Sequence, residues 1–426
     1  MVHDDDPLYE RSESVKLLNV RIEGYKNIES VSIDLSDGFA ALVSPNGYGK
    51  SNLLDAIGFA MDFIKADPVE KSVLMSRPYC IPVNQAFQGK DFLSEFTCSI
   101  KSDGKTYSFI YGFVFSWAVG IGTGEITKEW LQVREEEKAK RYNKMIDRDA
   151  AALYRSSPTG RCSIPIDVGG NELVINKLIA ETNIFYRDII TALNQISMYS
   201  NRHAMNQEQL PKRLFDLKNR DNRRYVLIEK SLSLLIKDIS GIDVQVIDMA
   251  KAHGIMSSND SHPMENRCYS LYINKKSLNQ AIDYRLLSDG EGAVLQLITD
   301  IFDAADQGAV LFAVDEIEKS IHPEIVSGYL SLLDQITHDM FGCGLIVTTQ
   351  SPVILQNLKP DSIYIALPSE RSAGDFRRID AKKVKRFRSD ADDFDETTGV
   401  YIMHLLSGDD ECLKILDSYL EKNGEK

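Results

Sequence analysis

Residues 41 to 52 read ALVSPNGYGKSN: an apolar run, a turn rich in Gly, Pro and Asn, then a Lys-Ser pair. That order of residue types suits a phosphate cradle. In the pattern G-x-x-x-x-G-K-[ST], backbone N–H groups and a helix N-terminus surround phosphate oxygens, the Lys reaches the β and γ oxygens, and the hydroxyl binds Mg2+. Asn46, Gly47, Gly49, Lys50, Ser51 and Asn52 form the set expected to hold a nucleotide. The first position is Ser44 instead of Gly, although Gly47 supplies backbone freedom of its own. An ordinary Gly-rich turn is the bland alternative. The flanks favour the cradle: Ala40 to Val43 make a short apolar strand, and Leu53, Leu54, Ile57, Ala60, Met61 and Ile64 follow at helical spacing.

Three later stretches offer matching chemistry. In AVLFAVDEIEKSIHPEI, residues 309 to 325, a continuous apolar run predicts a strand buried on both faces, ending in Asp315 and Glu316. Carboxylates at the C-terminal end of such a strand sit where open α/β sheets place ligands. Asp315 can hold Mg2+ directly or through water, and Glu316 can polarise an attacking water. LIVTTQSPVIL, residues 345 to 355, is a second buried strand ending in Thr348, Thr349, Gln350 and Ser351, with Gln350 in reach of a γ-phosphate. Residues 323 to 338 between them suit a crossover helix. In LLSDGEGAVLQLITDIF, residues 286 to 302, Ser288 and Asp289 are expected to cap an amphipathic helix whose N-terminus could bind an anion.

The elements around these stretches are expected as follows. Residues 1 to 14 read as a disordered lead. Leu17, Val20, Ile22, Val31, Ile33 and Leu35 alternate as in two paired strands. FLSEFTCSI, TYSFIYGFVF and ITKEWLQV predict three antiparallel strands, with SDGK at 102 to 105 as a turn. The charged stretch from residue 134, the SPTGR loop and the helical spacing from about 171 predict a helical insertion over 134 to 240. VQVIDMAKA and YSLYINK bring the sheet back near residue 240. The expected domains are 1–14, 15–133 with the P-loop and β-subdomain, 134–240, 241–380 with the three later motifs, and 381–426 as an acidic linker and C-terminal helix.

With 426 residues, 43% hydrophobic and 26% charged, the composition is ordinary for a globular chain. No run is long enough to span a membrane, and the acidic start lacks the pattern of a signal peptide, so a cytoplasmic location is expected. Six widely spaced cysteines without a C-x-x-C pair fit reduced thiols better than disulfides or zinc. A net charge of -14 argues against a surface uniformly suited to nucleic acid.

SPNGYGKSN, LSDGE, VLFAVDEIEKSIHP and TTQSP, in this order, resemble the Walker A, signature, Walker B and switch motifs of ABC-type ATPases, above all the RecF, SMC and OLD group. The strand-rich stretch from 92 to 133 is similar to the β-subdomain of stand-alone ATPases of that group, several of which serve in bacterial anti-phage systems. The resemblance implies an α/β fold: an ABC-type P-loop head with a mixed sheet, an antiparallel β-subdomain and a helical insertion. It implies ATP and Mg2+ as ligands, with Lys50 on phosphate, Ser51 and Asp315 organising the metal and Glu316 as general base. Two copies would sandwich ATP, with Ser288, Gly290 and Glu291 of one facing the P-loop of the other. Gln85 or Gln88 is the expected Q-loop residue. Gln350 replaces the usual switch His, and a neutral amide cannot carry a positive charge against the charge developing in phosphoryl transfer. Slow turnover is therefore expected.

Two functions follow from that resemblance. One is an ATPase that dimerises or assembles further on ATP and serves as sensor or scaffold for a separate effector, a nuclease above all, in anti-phage defence. The other is a RecF-like repair clamp on duplex DNA. Lys138, Lys140, Arg141, Lys144 and Arg148 on an expected helix, with Arg220, Arg223 and Arg224, are the candidate phosphate contacts, against the commoner role of a solvated face. KKVKRFRSDADDFDE at 382 to 396 could suggest a metal nuclease through its acidic half, but no acidic partner motif lies upstream, and a solvated linker is expected. The helix carrying Leu405, Leu413, Ile415, Leu416 and Leu420 is the expected effector dock.

Overall fold

The computed structural model describes residues 15 to 422 except 83, 85, 121, 150, 151, 156 to 161, 182, 183, 204 to 208, 249 to 266, 321 to 324 and 368 to 373. The expected N-terminal lead, the SPTGR loop and Gln85 lie outside the described residues. The chain forms two compact units: residues 1–200, 307–317 and 333–426, and residues 201–306 and 318–332.

The first unit has two sheets. One is an eight-stranded antiparallel sheet in the order β2-β1-β4-β5-β6-β7-β8-β9. Its strands are β1 (Lys16–Tyr25), β2 (Ile28–Asp34), β4 (Phe92–Ser102), β5 (Lys105–Ser116), β6 (Glu125–Glu135), β7 (Asn143–Arg148), β8 (Ala152–Arg155) and β9 (Cys162–Pro165). The other is a six-stranded sheet in the order β10-β14-β15-β3-β16-β17, from β3 (Phe39–Val43), β10 (Ser197–Ser200), β14 (Ala309–Val314), β15 (Gly344–Thr349), β16 (Ile363–Ala366) and β17 (Phe376–Arg378). All its neighbours are parallel except β16 and β17. The all-apolar β14, and β15, whose run GLIV ends in Thr348 and Thr349, are buried at every residue, as expected of a parallel sheet covered on both faces.

Helix α1 (Lys50–Lys65) follows the P-loop and belongs to the core joining both sheets. Its Phe59 and Phe63 rings pack on Phe92, Phe113, Phe115 and Trp117 of the antiparallel side, with centroids 4.8 to 6.2 Å apart. On the parallel side Gly58 admits β10, for a Cβ there would meet Met198 Cε at 3.1 Å. Gly costs a helix about 1 kcal/mol relative to Ala. Burying each large apolar side chain returns about 1.5–3 kcal/mol, so packing decides. The C-terminal carbonyls of α1 are taken up by Asn176, which donates to Ile64 O at 2.8 Å, and by the buried Lys71, which donates to Ala66 O. Burial lowers the Lys71 ammonium to about 8. Nearby, burial raises the Glu129 carboxyl to about 7 even though Ile175 and Val174 donate their N–H groups and Tyr111 its hydroxyl to it.

The second unit holds a three-stranded antiparallel sheet, β11 (Ile239–Asp248), β12 (Arg267–Lys275) and β13 (Ile282–Asp283), with helices Leu210–Arg220, Asn222–Leu235 and Asp289–Asp306. Ion pairs tie these helices together: Arg213 to Asp300 and Asp303, each at 2.6 Å, and both Arg220 and Arg224 to Asp306.

The α/β class with a mixed sheet and antiparallel β-subdomain is the one observed, and several local expectations are corrected. The described residues between 143 and 165 form strands instead of helix: β7 to β9 extend the antiparallel sheet, because Met145 and Ile146 pack into its core while Asn143 and Lys144 are exposed. The expected helix bearing Lys138, Lys140, Arg141, Lys144 and Arg148 therefore does not form. Lys138 pairs with Glu135, Lys144 with Asp147, and Arg148 donates to Glu172 O and Gly169 O. Within the second cluster, Arg220 and Arg224 are committed to Asp306. The sheet that returns at residue 239 is the separate one of the second unit. The expected linker contains a helix, Val384–Asp393, with Phe387 buried, and the expected C-terminal helix is two, Thr398–Ser407 and Asp410–Tyr419. Gly408 and the Asp409 cap, which accepts from Glu411 and Cys412 N–H at 3.1 Å, break it.

Candidate functional site

Strand β3 delivers Ser44 to the sheet end, and the loop turns through Gly47 (φ 84°) and Gly49 (φ 97°) into α1. Both angles lie in the left-handed region, where a side chain is costly. At Gly49 a Cβ would also approach Asn27 Oδ1 at 2.9 Å. Ser44 is fully buried and does not share that conformation, so the first loop position accepts a Cβ without strain. Lys50 lies across the loop, donating to Ser44 O at 2.7 Å and Pro45 O at 3.3 Å.

Strands β14 and β15 meet α1 at this end. Asp315 follows β14, and its Oδ2 accepts from Ser51 Oγ at 2.8 Å across 264 positions of sequence. Its other oxygen, Oδ1, accepts from Thr348 Oγ1 at 2.5 Å. The Glu316 N–H donates to the same Thr348 oxygen at 2.7 Å, and Glu316 itself stands at φ 51°. Gln350 Nε2, beyond β15, donates to Asn46 Oδ1 at 2.6 Å. Asn52, on the first turn of α1, donates to Asn27 Oδ1 at 2.9 Å. The structure thus gathers Asn46, Gly47, Gly49, Lys50, Ser51, Asn52, Asp315, Glu316 and Gln350 at one end of the six-stranded sheet.

Ser288, Gly290 and Glu291 lie in the other compact unit, at the start of helix Asp289–Asp306. Ser288 and Glu291 satisfy each other locally. Ser288 N–H and hydroxyl donate to Glu291 Oε2 at 3.0 and 3.1 Å, and Glu291 N–H donates to Ser288 Oγ at 3.3 Å, which makes a capping box. Lys275 Nζ stands 2.7 Å from Glu291 Oε1. Burial works to raise the Glu291 carboxyl, but Lys275 and the Ser288 donors outweigh it and hold the group below its ordinary value. Gln88 sits in an exposed turn.

Two contributors were not assigned roles from sequence. Thr348 was visible only as a polar strand end; its signal is a hydroxyl placed directly after a run of buried apolar residues. Asn27 was hidden in the turn between β1 and β2, where Lys26 takes φ 49°. A Lys-Asn pair at a strand turn is a cue that only the loop opposite makes meaningful.

A family described as "AAA domain" matches residues 19–143, and one described as "AAA domain, putative AbiEii toxin, Type IV TA system" matches residues 181–356. The chromosome partition protein Smc of Methanocaldococcus jannaschii is 43% identical over 47 residues, which are 11% of this chain; the chain spans only 4% of that relative's length. Among solved structures, the SMC head domain from Thermotoga maritima is 14% identical, with 86% of this chain and 100% of that one covered and a TM-score of 0.43. The Smc head with an extended coiled coil, bound to the C-terminal domain of ScpA and derived from Pyrococcus furiosus, is also 14% identical, with 89% and 100% covered and a TM-score of 0.47. The P-loop falls within the first family match and Ser288, Asp315, Glu316 and Gln350 within the second. The two family matches support a nucleotide-binding ATPase.

Proposed function

We propose that this chain binds and slowly hydrolyses ATP, pairs with a second copy across the bound nucleotide, and acts as sensor or scaffold for a separate effector protein. The observation that carries the ATPase reading is the Ser51 hydroxyl on the Asp315 carboxylate, with Glu316 as the next residue. A hydroxyl and one carboxylate are hard oxygen donors that suit Mg2+, which keeps much of its coordination for phosphate and water. Ser51 and Asp315 would hold it, and when bound it would neutralise charge on the β and γ oxygens. Lys50 would turn from the loop carbonyls to phosphate, Glu316 would accept the proton of the attacking water, and the Gln350 amide would hydrogen-bond the γ-phosphate without adding charge. Ser288, Gly290 and Glu291 would face the nucleotide of the second copy. The effector and the anti-phage setting rest on likeness to stand-alone ATPases of such systems.

Phosphate release with Mg-ATP, with and without duplex DNA, beside Glu316→Gln, tests this. Slow release that ignores DNA and falls about 100-fold or more in the variant is expected. Strong stimulation by DNA would replace the sensor with a clamp on duplex DNA, and release that survives Glu316→Gln would dismiss the site.

A further inference from the structure

A buried hydroxyl must find partners, because leaving it unbonded costs about 1–3 kcal/mol. Thr348 is wholly buried, and the partners it has are instructive. Parallel pairing of β14 with β15 sets Val314 opposite Val347, so the next residues, Asp315 and Thr348, emerge level with one another. On its other side β15 pairs with β3, with Thr348 opposite Leu42 and Thr349 opposite Val43, just before the P-loop. Thr348 therefore stands between the strand that leads to the phosphate loop and the strand that ends in the carboxylates.

Its hydroxyl is used in both directions. The O–H donates to Asp315 Oδ1, and the oxygen accepts the Glu316 N–H. The first bond fixes the rotation of the Asp315 carboxylate and turns Oδ2 toward Ser51, 2.8 Å away. The second pins the peptide of a residue at φ 51°, a conformation that costs a residue other than glycine about 1–3 kcal/mol and persists only where neighbours enforce it. Valine is nearly the same shape and could fill the same space, but it would offer neither bond.

Resting on the ATPase reading above, we propose that Thr348 is a positioning residue for that site: a single hydroxyl sets both the metal-facing oxygen of Asp315 and the backbone from which Glu316 reaches the attacking water. Partners of this kind, one step removed from the metal, typically change metal affinity or activity by about 10- to 100-fold when removed.

The test compares Thr348→Val, Thr348→Ala and Thr348→Ser in the full chain, with Glu316→Gln alongside. Two quantities are followed: turnover of ATP against Mg2+ concentration, and the rise in melting midpoint that Mg2+ adds to the protein already holding the non-hydrolysable analogue AMP-PNP. Thr348→Val should lower kcat about 10-fold or more, need about 10-fold more Mg2+ for half-maximal turnover and lose most of the Mg2+-dependent rise, with the KM for ATP at saturating Mg2+ changed by less than about 3-fold. Thr348→Ser, which keeps the hydroxyl, should restore all three. If valine disturbs folding, Thr348→Ala supplies the same comparison, with the midpoint free of ligand as its control. Thr348→Val or Thr348→Ala at wild-type turnover and Mg2+ dependence would overturn the proposal, and so would Thr348→Ser as impaired as Thr348→Val, since the methyl group would then matter instead of the hydroxyl. Loss of turnover in Glu316→Gln with no effect at Thr348 would remove this inference alone; full turnover in Glu316→Gln would remove the underlying site.

Discussion

The P-loop end of the six-stranded sheet and the N-terminus of helix Asp289–Asp306 are both clusters of hydroxyls and carboxylates, yet they are built in opposite ways. At the sheet end, Ser51 meets Asp315 and Asn46 meets Gln350 across 264 and 304 positions of sequence, and the contacts exist only because three parallel strands finish together. At the helix start, Ser288 and Glu291 satisfy each other three residues apart, with Lys275 balancing the charge. A site assembled over distance has no local reason to exist, so its polar groups point to an outside ligand. A capping box has a sufficient reason of its own.

That contrast can be broken or sharpened by single substitutions. The largest gain in turnover is expected at the switch position. Gln350→His restores a group able to carry charge, and should raise turnover about tenfold, or about 1.4 kcal/mol of barrier. Unchanged phosphate release would remove the account of slow hydrolysis. Gly49→Ala places a Cβ at φ 97° beside Asn27, and should destabilise the first unit by about 1–3 kcal/mol, seen as a lower urea midpoint together with weaker nucleotide binding. If it folds as well as wild type, the loop is less constrained than its geometry implies. Ser288→Ala removes the cap and should cost about 1 kcal/mol by urea unfolding. If turnover then collapses while stability moves by only that amount, the helix start has a role in the reaction beyond its cap, and the two regions are less different than they look.

The most legible parts of this architecture were those whose signal is short-range and dense. The P-loop could be read from twelve residues because Gly, Lys and Ser each have a specific task there, and strands β14 and β15 because unbroken apolar runs leave few alternatives. Asp315 and Glu316 were legible by position, at the end of such a run. What the sequence concealed was the short and the mixed. Strand β7 has six residues, too few to display alternation against a background of Lys, Asp and Arg, and its charges suggested a helix face. Strand β10, four residues in a helical stretch, is a strand only because β14 lies beside it. The apolar spacing over 405 to 420 suggested one helix, since it carries no mark of the close approach of Gly408 to Cys412 that separates two. The Thr348 bridge depends on register between strands, which no single stretch of sequence contains.

The left-handed backbone at Glu316 bears on how this chain would fare in the laboratory. Glycine or asparagine would occupy that position more comfortably, so a library screened only for resistance to heat should drift there, gaining endurance while discarding the proposed general base. Stability and turnover pull one codon in different directions, and retention of glutamate there would signal that selection had acted on chemistry.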